Sequence, residues 1–358
     1  MKVLAGDIGG TKTLLQIADV TANHYQILYE QRFESQRYDD FTSLAQTFLA
    51  SAPHTAVAAI EDACIAVAGP VESTKAGQHA KVTNLPWHIE ARTLTATLRL
   101  PRLLLINDFE AIGHAIDALG GEDLVVLQPG QCQPRAPRII IGAGTGLGVA
   151  QMIWQAGRYH IIPSEGGHAD FAPADEMQMA LLRYMQNSFP PRREAQVSVA
   201  SSILPLATLA HPCASRESEA RCRERPHVSY DRILCGAGLV QIYAFLKERT
   251  GGGSPGAQDA AAISAAASTD PAAQAALDMF VSIYGAQAGN LALFNLARGG
   301  VYVAGGMAPK ILRHLQGGFM PAFSNKGRMA GLMATLPVSV ITHAKVGVMG
   351  AARAAAGM

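Results

Sequence analysis

The stretch KVLAGDIGGTKTLLQIADV (residues 2–20) decides the fold, because two apolar runs enclose a turn rich in glycine. The runs at 2–6 and 14–20 predict two strands joined as a hairpin. The same pattern returns about 135 residues later, where RIIIGAG (138–144) and LGVAQMIW (147–154) flank a second glycine turn. Two related α/β halves are the simplest organisation that explains this repetition.

Strand-like and helix-like segments alternate through the rest of the chain. Apolar runs closed by Gly or Pro predict strands, and apolar residues at helical spacing predict helices. Strand, helix and strand in succession are typical of a mostly parallel sheet with crossover helices. Strands are predicted at 25–33, 63–69, 103–106 and 336–343, helices at 41–51, 91–99, 109–119, 271–297 and 347–356, and a strand, a glycine pair and a helix over 299–312.

Composition narrows the class of protein. Hydrophobic residues make up 49% of the 358 residues, and we find no apolar run of the roughly 18 residues that a membrane helix needs. The first residues lead directly into a strand, so a secreted or membrane protein is not expected. The net charge of +1 gives no basic footprint for nucleic acid, which leaves a small molecule as the expected partner.

Cysteine usage points to a reducing compartment. The five cysteines are odd in number and none has C-x-x-C spacing, so neither a disulfide framework nor a structural zinc site is indicated. Reduced thiols in the cytoplasm fit this usage. Two polar segments interrupt the pattern: 187–227 is predicted to be a surface insertion or a helix pair, and 250–256 a flexible turn or linker.

The first glycine turn, GDIGGTKT (6–13), resembles a P-loop but fails its pattern, because Thr11 stands where glycine is required. It retains exposed backbone N–H groups beside the carboxylate of Asp7 and the hydroxyls of Thr11 and Thr13. Such a turn can hold a phosphate and, through water, a magnesium ion. An ordinary hairpin with glycines at positive φ is the alternative.

The second turn, GAGTGLG (142–148), fails the dinucleotide-binding pattern, since Leu147 replaces a glycine and a strand follows. Alternating glycines between strands suit a backbone that approaches a second phosphate, or a plain glycine-rich hairpin. A third stretch, AGGMAPK (304–310), places a glycine pair after a strand. It suits a flat group such as adenine, or a tight turn from strand to helix.

The stretch LLLINDFEA (103–111) runs from a buried strand straight into Asn107 and Asp108. A carboxylate at the end of an apolar strand is costly unless it is paired or used. Asp108 therefore has two compatible interpretations, the cap of the next helix and a chemical group. In the first, the helix dipole keeps the carboxylate ionised.

Two further segments bring polar side chains together. In PSEGGHADFAP (163–173), the two glycines between Glu165 and His168 let both side chains reach one point, for metal ligation, acid–base work or hydroxyl binding. A metal site would need a third ligand, and the alternative is an exposed loop. In HVSYDRILCGAGLVQIYAF (227–245), Ser229 is predicted to cap a helix with Asp231 in its first turn.

Taken together, these motifs resemble the bacterial glucokinases outside the ROK group, in the hexokinase/actin/Hsp70-type ATPase superfamily. The resemblance rests on motifs in family order: GDIGGTKT, INDFEAIGHAI, GAGTGLGVA, SEGGHADFAP, HVSYDRILCGAGLVQIY, GNLAL and VYVAGGMAPKIL. It implies an α/β fold of two ribonuclease-H-like, actin-like ATPase domains with an interdomain cleft. The implied smaller domain comprises 1–109 plus 344–358, and the larger one comprises 110–343 with the polar insertion near 187–227.

The resemblance also implies an activity, the ATP-dependent transfer of a phosphoryl group to the 6-hydroxyl of glucose, giving glucose 6-phosphate and ADP. Asn107 and Asp108 would bind the sugar, with Asp108 as catalytic base, and Glu165 and His168 would bind hydroxyls near its anomeric end. Asp231 would bind a further hydroxyl, in place of the family's usual Glu. The implied ATP- and phosphate-binding residues are Gly6, Asp7, Ile8, Gly9, Gly10, Thr11, Lys12, Gly142, Ala143, Gly144, Thr145, Gly146, Gly305 and Gly306.

Magnesium would be held by the ATP phosphates and by Asp7 through water, with no direct protein ligand. The resemblance also implies a homodimer. A related fructose or mannose kinase, a catalytically weak sugar sensor and an ATP-binding scaffold are the alternatives. The zinc-binding form of the ROK proteins is not expected, because there is no cysteine between 132 and 213.

Overall fold

A computed structural model of the chain describes residues 1–21, 24–188, 226–251 and 259–358. Most of the predicted insertion at 187–227 and of the linker at 250–256 therefore lies outside the described residues. None of the helices described is long and apolar enough to cross a membrane.

The described strands are β1 (Lys2–Ile8), β2 (Lys12–Thr21), β3 (His24–Glu34), β4 (Asp62–Val67), β5 (Val71–Thr74), β6 (Gly77–Lys81), β7 (His88–Glu90), β8 (Leu103–Asn107), β9 (Leu124–Gln128), β10 (Arg138–Ala143), β11 (Leu147–Gln155), β12 (Arg158–Ser164), β13 (Gly300–Ala304) and β14 (Val338–Ile341). The α-helices are α1 (Phe41–Ser51), α2 (His54–Val57), α3 (Ala91–Leu98), α4 (Asp108–Ala115), α5 (Glu176–Ser188), α6 (Tyr230–Ile233), α7 (Gly236–Arg249), α8 (Ala260–Ala266), α9 (Pro271–Asn295), α10 (Leu312–Ser324), α11 (Ala330–Met333) and α12 (Val346–Ala355).

The two predicted halves form two sheets of matching topology. The first has the order β3-β2-β1-β4-β8, and the second has the order β12-β11-β10-β13-β14-β9. In each, a central strand pairs antiparallel with its hairpin partner and parallel with a later strand, β1 with β4 and β10 with β13. The repetition read from the two glycine turns is therefore confirmed, and the second sheet differs by one extra antiparallel strand, β9, at its edge.

The strand registers show which positions of the two hairpins correspond. Asp7 lies opposite Leu14 in the first hairpin, one pair before its last. Gly142 lies opposite Gly148 at the same place in the second. The first half thus carries a carboxylate where the second carries bare backbone.

Each sheet is covered by apolar side chains that alternate along its strands. On one face of the first sheet, Leu4 and Ile8 pack with Phe48 and Trp87 from the α1–α3 side. On the other face, Val3 packs against α12, which returns from the end of the chain. The largest core surrounds α9 beneath the second sheet. The domain boundaries at 109 and 344 remain a prediction, supported by this return of α12 to the first sheet.

Several predicted elements differ from the structure. The helix expected over 227–245 is two helices, because Leu234 leaves helical geometry and the Cys235 side chain caps α7. The helix expected at 109–119 begins at Asp108 and ends as α-helix at Ala115, continuing as a 3₁₀ turn. After the pair at 305–306 the next helix begins only at Leu312.

A small three-stranded sheet, β5-β6-β7, lies beside the first large sheet and was not predicted. Its strands are short and mostly exposed, so they have no apolar alternation to reveal them. The Gln78 side chain bonds both the N–H and the C=O of Leu105, at 3.1 and 3.0 Å. It thereby completes the edge strand β8 in place of a neighbouring strand.

Candidate active site

A cavity of about 900 Å³ lies between the two large sheets, where the glycine turns and the start of α4 meet. This volume falls within the range of small-ligand sites. Residues that the sequence placed far apart line it together. The predicted site residues among them are Asp7, Gly9, Gly10, Asn107, Asp108, Gly142, Gly144, Thr145, Gly146, Glu165, His168, Asp231, Gly305 and Gly306.

Five predicted nucleotide residues do not line the cavity. Ile8 and Ala143 are fully buried core side chains. Gly6 is needed for packing, since a Cβ there would lie 2.7 Å from a methyl of Leu15. Thr11, in the turn, and Lys12, the first residue of β2, have exposed side chains.

Asn107, and not Asp108, is the N-cap of α4. Its side-chain oxygen accepts hydrogen bonds from the N–H groups of Phe109, at 2.9 Å, and Glu110, at 3.4 Å. The Glu110 carboxylate in turn accepts the Asn107 N–H, which completes a capping box. The Asn107 amide also donates to the carbonyl of Gly69 at 3.1 Å. These bonds fix the strand-to-helix turn, so that Asp108 occupies the first helical position at the cavity wall.

The prediction that the helix dipole keeps Asp108 ionised is wrong. Burial raises the pKa of Asp108 to about 7, with a further rise from the charge of Asp7, while N–H bonds of Phe109 and of Asp108 itself lower it. Glu165 contributes a smaller rise. Loss of hydration outweighs the dipole here. Near neutral pH the carboxyl therefore exchanges a proton readily, which is what a general base requires.

A second carboxyl faces the same cavity from the first hairpin. Burial raises the pKa of Asp7 to about 6. The Asp7 carboxylate lies close to the first turn of α12. A Cβ on Gly347 in that turn would lie 2.5 Å from the carboxylate. Within the described ranges no side chain or N–H group donates a hydrogen bond to this carboxylate, so its oxygens are available to the cavity.

The outer glycines of GAGTGLG serve packing. A Cβ on Gly142 would lie 2.7 Å from the ring of Phe109, and one on Gly148 would lie 1.9 Å from it. Phe109 is buried and follows Asp108 directly. The glycine pair of the second hairpin thus makes room for the ring that anchors the start of α4, and only the inner glycines, Gly144 and Gly146, form the turn at the cavity.

The second turn is held by Asp231, which the resemblance assigned to the sugar. One carboxylate oxygen of Asp231 accepts the N–H of Leu147 at 2.7 Å. A Cβ on Gly146 would lie 2.5 Å from that oxygen. The other oxygen lies 4.0 Å from Nδ1 of His168 and lines the cavity. Ser229 caps this short helix as predicted, by accepting the Arg232 N–H.

Glu165 and His168 do come together, as predicted. His168 Nε2 lies 3.6 Å from a Glu165 oxygen, and both side chains are more than half exposed, to 61% and 67%. Glu165 precedes a 3₁₀ turn at Gly166–His168, and His168 ends it. Gly167 is required there, because a Cβ would lie 2.1 Å from the carbonyl of Leu147. Glu165, His168 and Asp231 thus form a group of hydrogen-bonding side chains in the cavity that Asp108 also lines.

The glycine pair Gly305–Gly306 lies against the second glycine turn. Gly305 has φ 86°, which favours glycine, and a Cβ on it would lie 2.5 Å from the carbonyl of Ala143. Gly306 has open space above it. Bare backbone therefore faces the cavity at this point.

Sequence reasoning missed several cavity residues, among them Thr83, Asn84 and His343. Asn84 has φ 64°, and it lies in the connection between β6 and β7, which was not recognised. His343 lies two residues after β14, and its place at the end of the strand predicted at 336–343 was the one available signal.

No group of three or more metal-ligating side chains is present in the part of the chain that the structure describes.

Comparison with known proteins identifies this architecture. The model of the family described as glucokinase matches residues 4–202 and 218–358. A glucokinase of Nostoc sp. is 38% identical, over 99% of this chain and 98% of its own. A glucokinase of Synechocystis sp. is 39% identical, over 99% of this chain and 97% of its own.

Solved structures agree. The crystal structure of a glucokinase from an Antarctic psychrotroph has a TM-score of 0.77 and 26% identity, covering 100% of this chain and 99% of that one. A ROK-family glucokinase from Streptomyces griseus, solved with glucose and AMPPNP, has a TM-score of 0.62 and 18% identity, covering 100% of both chains, and shares the fold. The α/β fold of two actin-like ATPase domains is confirmed, and the chain belongs to the glucokinase family.

Proposed function

We propose that the chain phosphorylates glucose with ATP in the cavity between the two sheets, with Asp108 as the general base. The oxygen of the glucose 6-hydroxyl attacks the γ-phosphorus of ATP, the bond from that phosphorus to ADP breaks, and the hydroxyl proton passes to Asp108. The observation that carries this assignment is the Asp108 carboxyl, held by the capping box at the cavity wall with a pKa of about 7.

The sugar lies between Asp108 and the group formed by Glu165, His168 and Asp231. Glu165 and His168 form hydrogen bonds with hydroxyls near its anomeric end, and the second carboxylate oxygen of Asp231 accepts a hydrogen bond from a further hydroxyl. One hydrogen of the Asn107 side-chain amide is donated to the Gly69 carbonyl, and the other can be donated to the sugar. A site built from such bonds rejects an analogue that lacks a hydroxyl far more strongly than an apolar pocket rejects a methylene.

The nucleotide lies along the bare backbone of the two turns. Gly9 and Gly10 approach its phosphates from one sheet, and Gly144 and Gly146 approach from the other. The adenine ring lies near Gly305 and Gly306. Closure of the two sheets on the substrates excludes water, which would otherwise accept the phosphoryl group.

Magnesium fits the site through Asp7. Mg²⁺ prefers carboxylate oxygens and waters as ligands, and Asp7 offers an unbonded carboxylate beside the phosphate turn. When bound, Mg²⁺ would neutralise part of the negative charge on the phosphates of ATP. Asp7 would hold a water of its shell.

Replacing Asp108 tests the proposal. We expect Asp108→Asn to lower kcat for glucose by about 10²–10⁴-fold, because a positioned base contributes that much. Calorimetry should show glucose binding largely retained. Asp39→Asn is the matched control, since it makes the same carboxylate-to-amide change at an exposed position that does not line the cavity. A variant with near-normal kcat would contradict the base assignment.

Activity with other hexoses distinguishes a glucokinase from a fructose or mannose kinase and from a sugar sensor. Initial rates with ATP and glucose, mannose or fructose give kcat/KM for each sugar. We expect glucose to lead. Glucose-dependent ADP release excludes the pure sensor, whereas heat of binding without turnover would favour it.

We also propose a cytoplasmic homodimer. The thiols of Cys64, Cys132 and Cys235 are free in the structure, which fits a reducing compartment. Light scattering tests the assembly, because a mass near the chain's 37.7 kDa would contradict a dimer.

A further inference from the structure

A second cavity, of about 370 Å³, opens beside the sugar site. It lies at the lower end of the range for small-ligand sites, about 300–1,000 Å³. It shares Pro70, Asn107, Ser164 and Glu165 with the main cavity, so the two cavities adjoin at these residues.

Three parts of the fold enclose this second cavity. The small sheet supplies Val71 and Ser73 from β5 and Gln78 from β6. Helix α4 supplies Glu110, and the end of β12 in the second sheet supplies Pro163. The cavity is therefore bounded by both halves of the molecule, as the main cavity is.

The lining favours a neutral polyhydroxylated ligand. Ser73 and Ser164 offer hydroxyls, and Glu110 offers a carboxyl whose one bond in the described structure is the long one, 3.4 Å, from Asn107. Val71 and the two prolines offer apolar surface for the C–H faces of a sugar ring. Two glutamates line the cavity with no Lys, Arg or His from the described residues, so an anionic ligand such as a phosphate would be repelled.

The position of this cavity matters for the reaction. In the proposed function, on which this inference rests, the 6-hydroxyl lies at Asp108 and the anomeric end lies at Glu165. A group attached to the anomeric oxygen would leave the sugar site past Glu165, where the second cavity begins.

We propose that the second cavity is a subsite for the group on the anomeric oxygen of a glucoside. The enzyme then phosphorylates the free 6-hydroxyl of neutral glucosides, including glucose disaccharides, as well as glucose. The step is the same: the 6-oxygen forms its bond to the γ-phosphorus, the bond to ADP breaks, and the proton goes to Asp108. The products are the glucoside 6-phosphate and ADP.

The probes are the methyl α- and β-glucosides and the disaccharides maltose and cellobiose, with ATP. ADP release gives kcat/KM, and mass spectrometry identifies the phosphorylated product, which excludes contaminating glucose as its source. We expect one anomeric series to react, with a kcat/KM below that of glucose because the glycosidic oxygen has lost the hydrogen that a free anomeric hydroxyl can donate. If glucose is turned over while none of the four probes is phosphorylated, this inference fails and the proposed function stands. If glucose itself is not turned over, the proposed function fails.

A matched pair of variants locates the subsite. Successive side chains of a strand point to opposite faces, and Val71 and Ser73 line the cavity while Glu72 does not. Ser73→Trp fills the cavity, and we expect the ratio of disaccharide to glucose kcat/KM to fall at least about tenfold. Glu72→Trp adds the same bulk on the other face and should leave that ratio unchanged. Equal ratios in the two variants would overturn the location.

Discussion

The two hairpins have the same topology but place their acidic group differently. In the first hairpin the carboxylate of Asp7 belongs to the strand itself and faces the cavity. In the second hairpin the corresponding residue is Gly142, and the acid is supplied by Asp231 from α6, which bonds the turn. The first hairpin thus presents to the cavity a carboxylate without a hydrogen-bond donor among the described residues. The second presents backbone N–H groups, in a turn that the Asp231 carboxylate holds in place.

Replacing Asp7 tests the part of this difference from which we expect the largest effect on catalysis. We expect Asp7→Asn to lower kcat on the order of 10²-fold, because the variant loses the carboxylate proposed to hold a magnesium-bound water. Since the charge of Asp7 raises the pKa of Asp108, the acid limb of kcat/KM against pH should also move to lower pH. Rates from pH 5 to 9 measure both effects. Asp231→Asn is the control, and a larger kcat loss in that variant would reverse our assignment of the two acids.

The glycine pair of the second hairpin gives the next largest effect. We expect Gly148→Ala to destabilise the fold by up to about 3 kcal/mol, because the added methyl overlaps the ring of Phe109. Displacing Phe109 should also move Asp108 and lower kcat.

Gly144→Ala is the control in the same hairpin, since a Cβ there meets open space. Its unfolding free energy in urea should change by no more than about 0.5 kcal/mol. Similar losses in the two variants would contradict the packing role of Gly148.

Much of this comparison could be predicted from the sequence. The strands of both hairpins were found because their apolar runs are long and bounded by glycines, and Glu165 and His168 were paired correctly because they are near in the chain. The role of Gly148 could not be read, because its partner Phe109 lies 39 residues earlier and alternating glycines also suit a phosphate turn.

Electrostatics and weak local signals account for the other failures. The ionisation of Asp108 was misjudged because the helix dipole is visible in a sequence whereas burial is not. The bond from Asp231 to Leu147 joins positions 84 residues apart, which no spacing rule reveals. The small sheet was missed because its strands carry too few apolar residues to show a period.

The pKa of Asp108 links activity to stability. Folding raises this pKa from the usual 3.8 to about 7, so the folded state holds the proton more tightly. The resulting stabilisation is fully present below pH 3.8 and is lost as pH rises through 7. Asp108→Asn avoids this loss, and its stability relative to the parent should rise by about 3 kcal/mol between pH 5 and pH 8, at about 1.36 kcal/mol for each pKa unit.

Urea unfolding at pH 5 and at pH 8 measures the effect. The exposed Asp39 is the control, because its replacement by Asn should give the same difference at both pH values. A difference for Asp108→Asn that did not grow with pH would show that the folded state does not favour the protonated carboxyl.

The smallest effects concern the side chains that hold each turn. Ser35 donates to the carbonyl of Gly9 at 2.9 Å and bonds Thr13 at 3.0 Å, so it braces the first turn as Asp231 braces the second. We expect Ser35→Ala to cost about 1 kcal/mol of unfolding free energy, the net value of such a bond, and Ser51→Ala on exposed α1 to cost less.

Replacing Ser35 and replacing Asp231 should change different KM values. Ser35 holds a turn that adjoins only the nucleotide, whereas Asp231 also faces the sugar. Ser35→Ala should raise KM for ATP more than KM for glucose, since Gly9 is proposed to meet phosphate. Asp231→Asn retains an oxygen for the Leu147 N–H but loses the charge near His168, so it should raise KM for glucose more. If both variants raised the two KM values in the same proportion, the turns would act only as scaffold, and the asymmetry between the hairpins would lie in Asp7 alone.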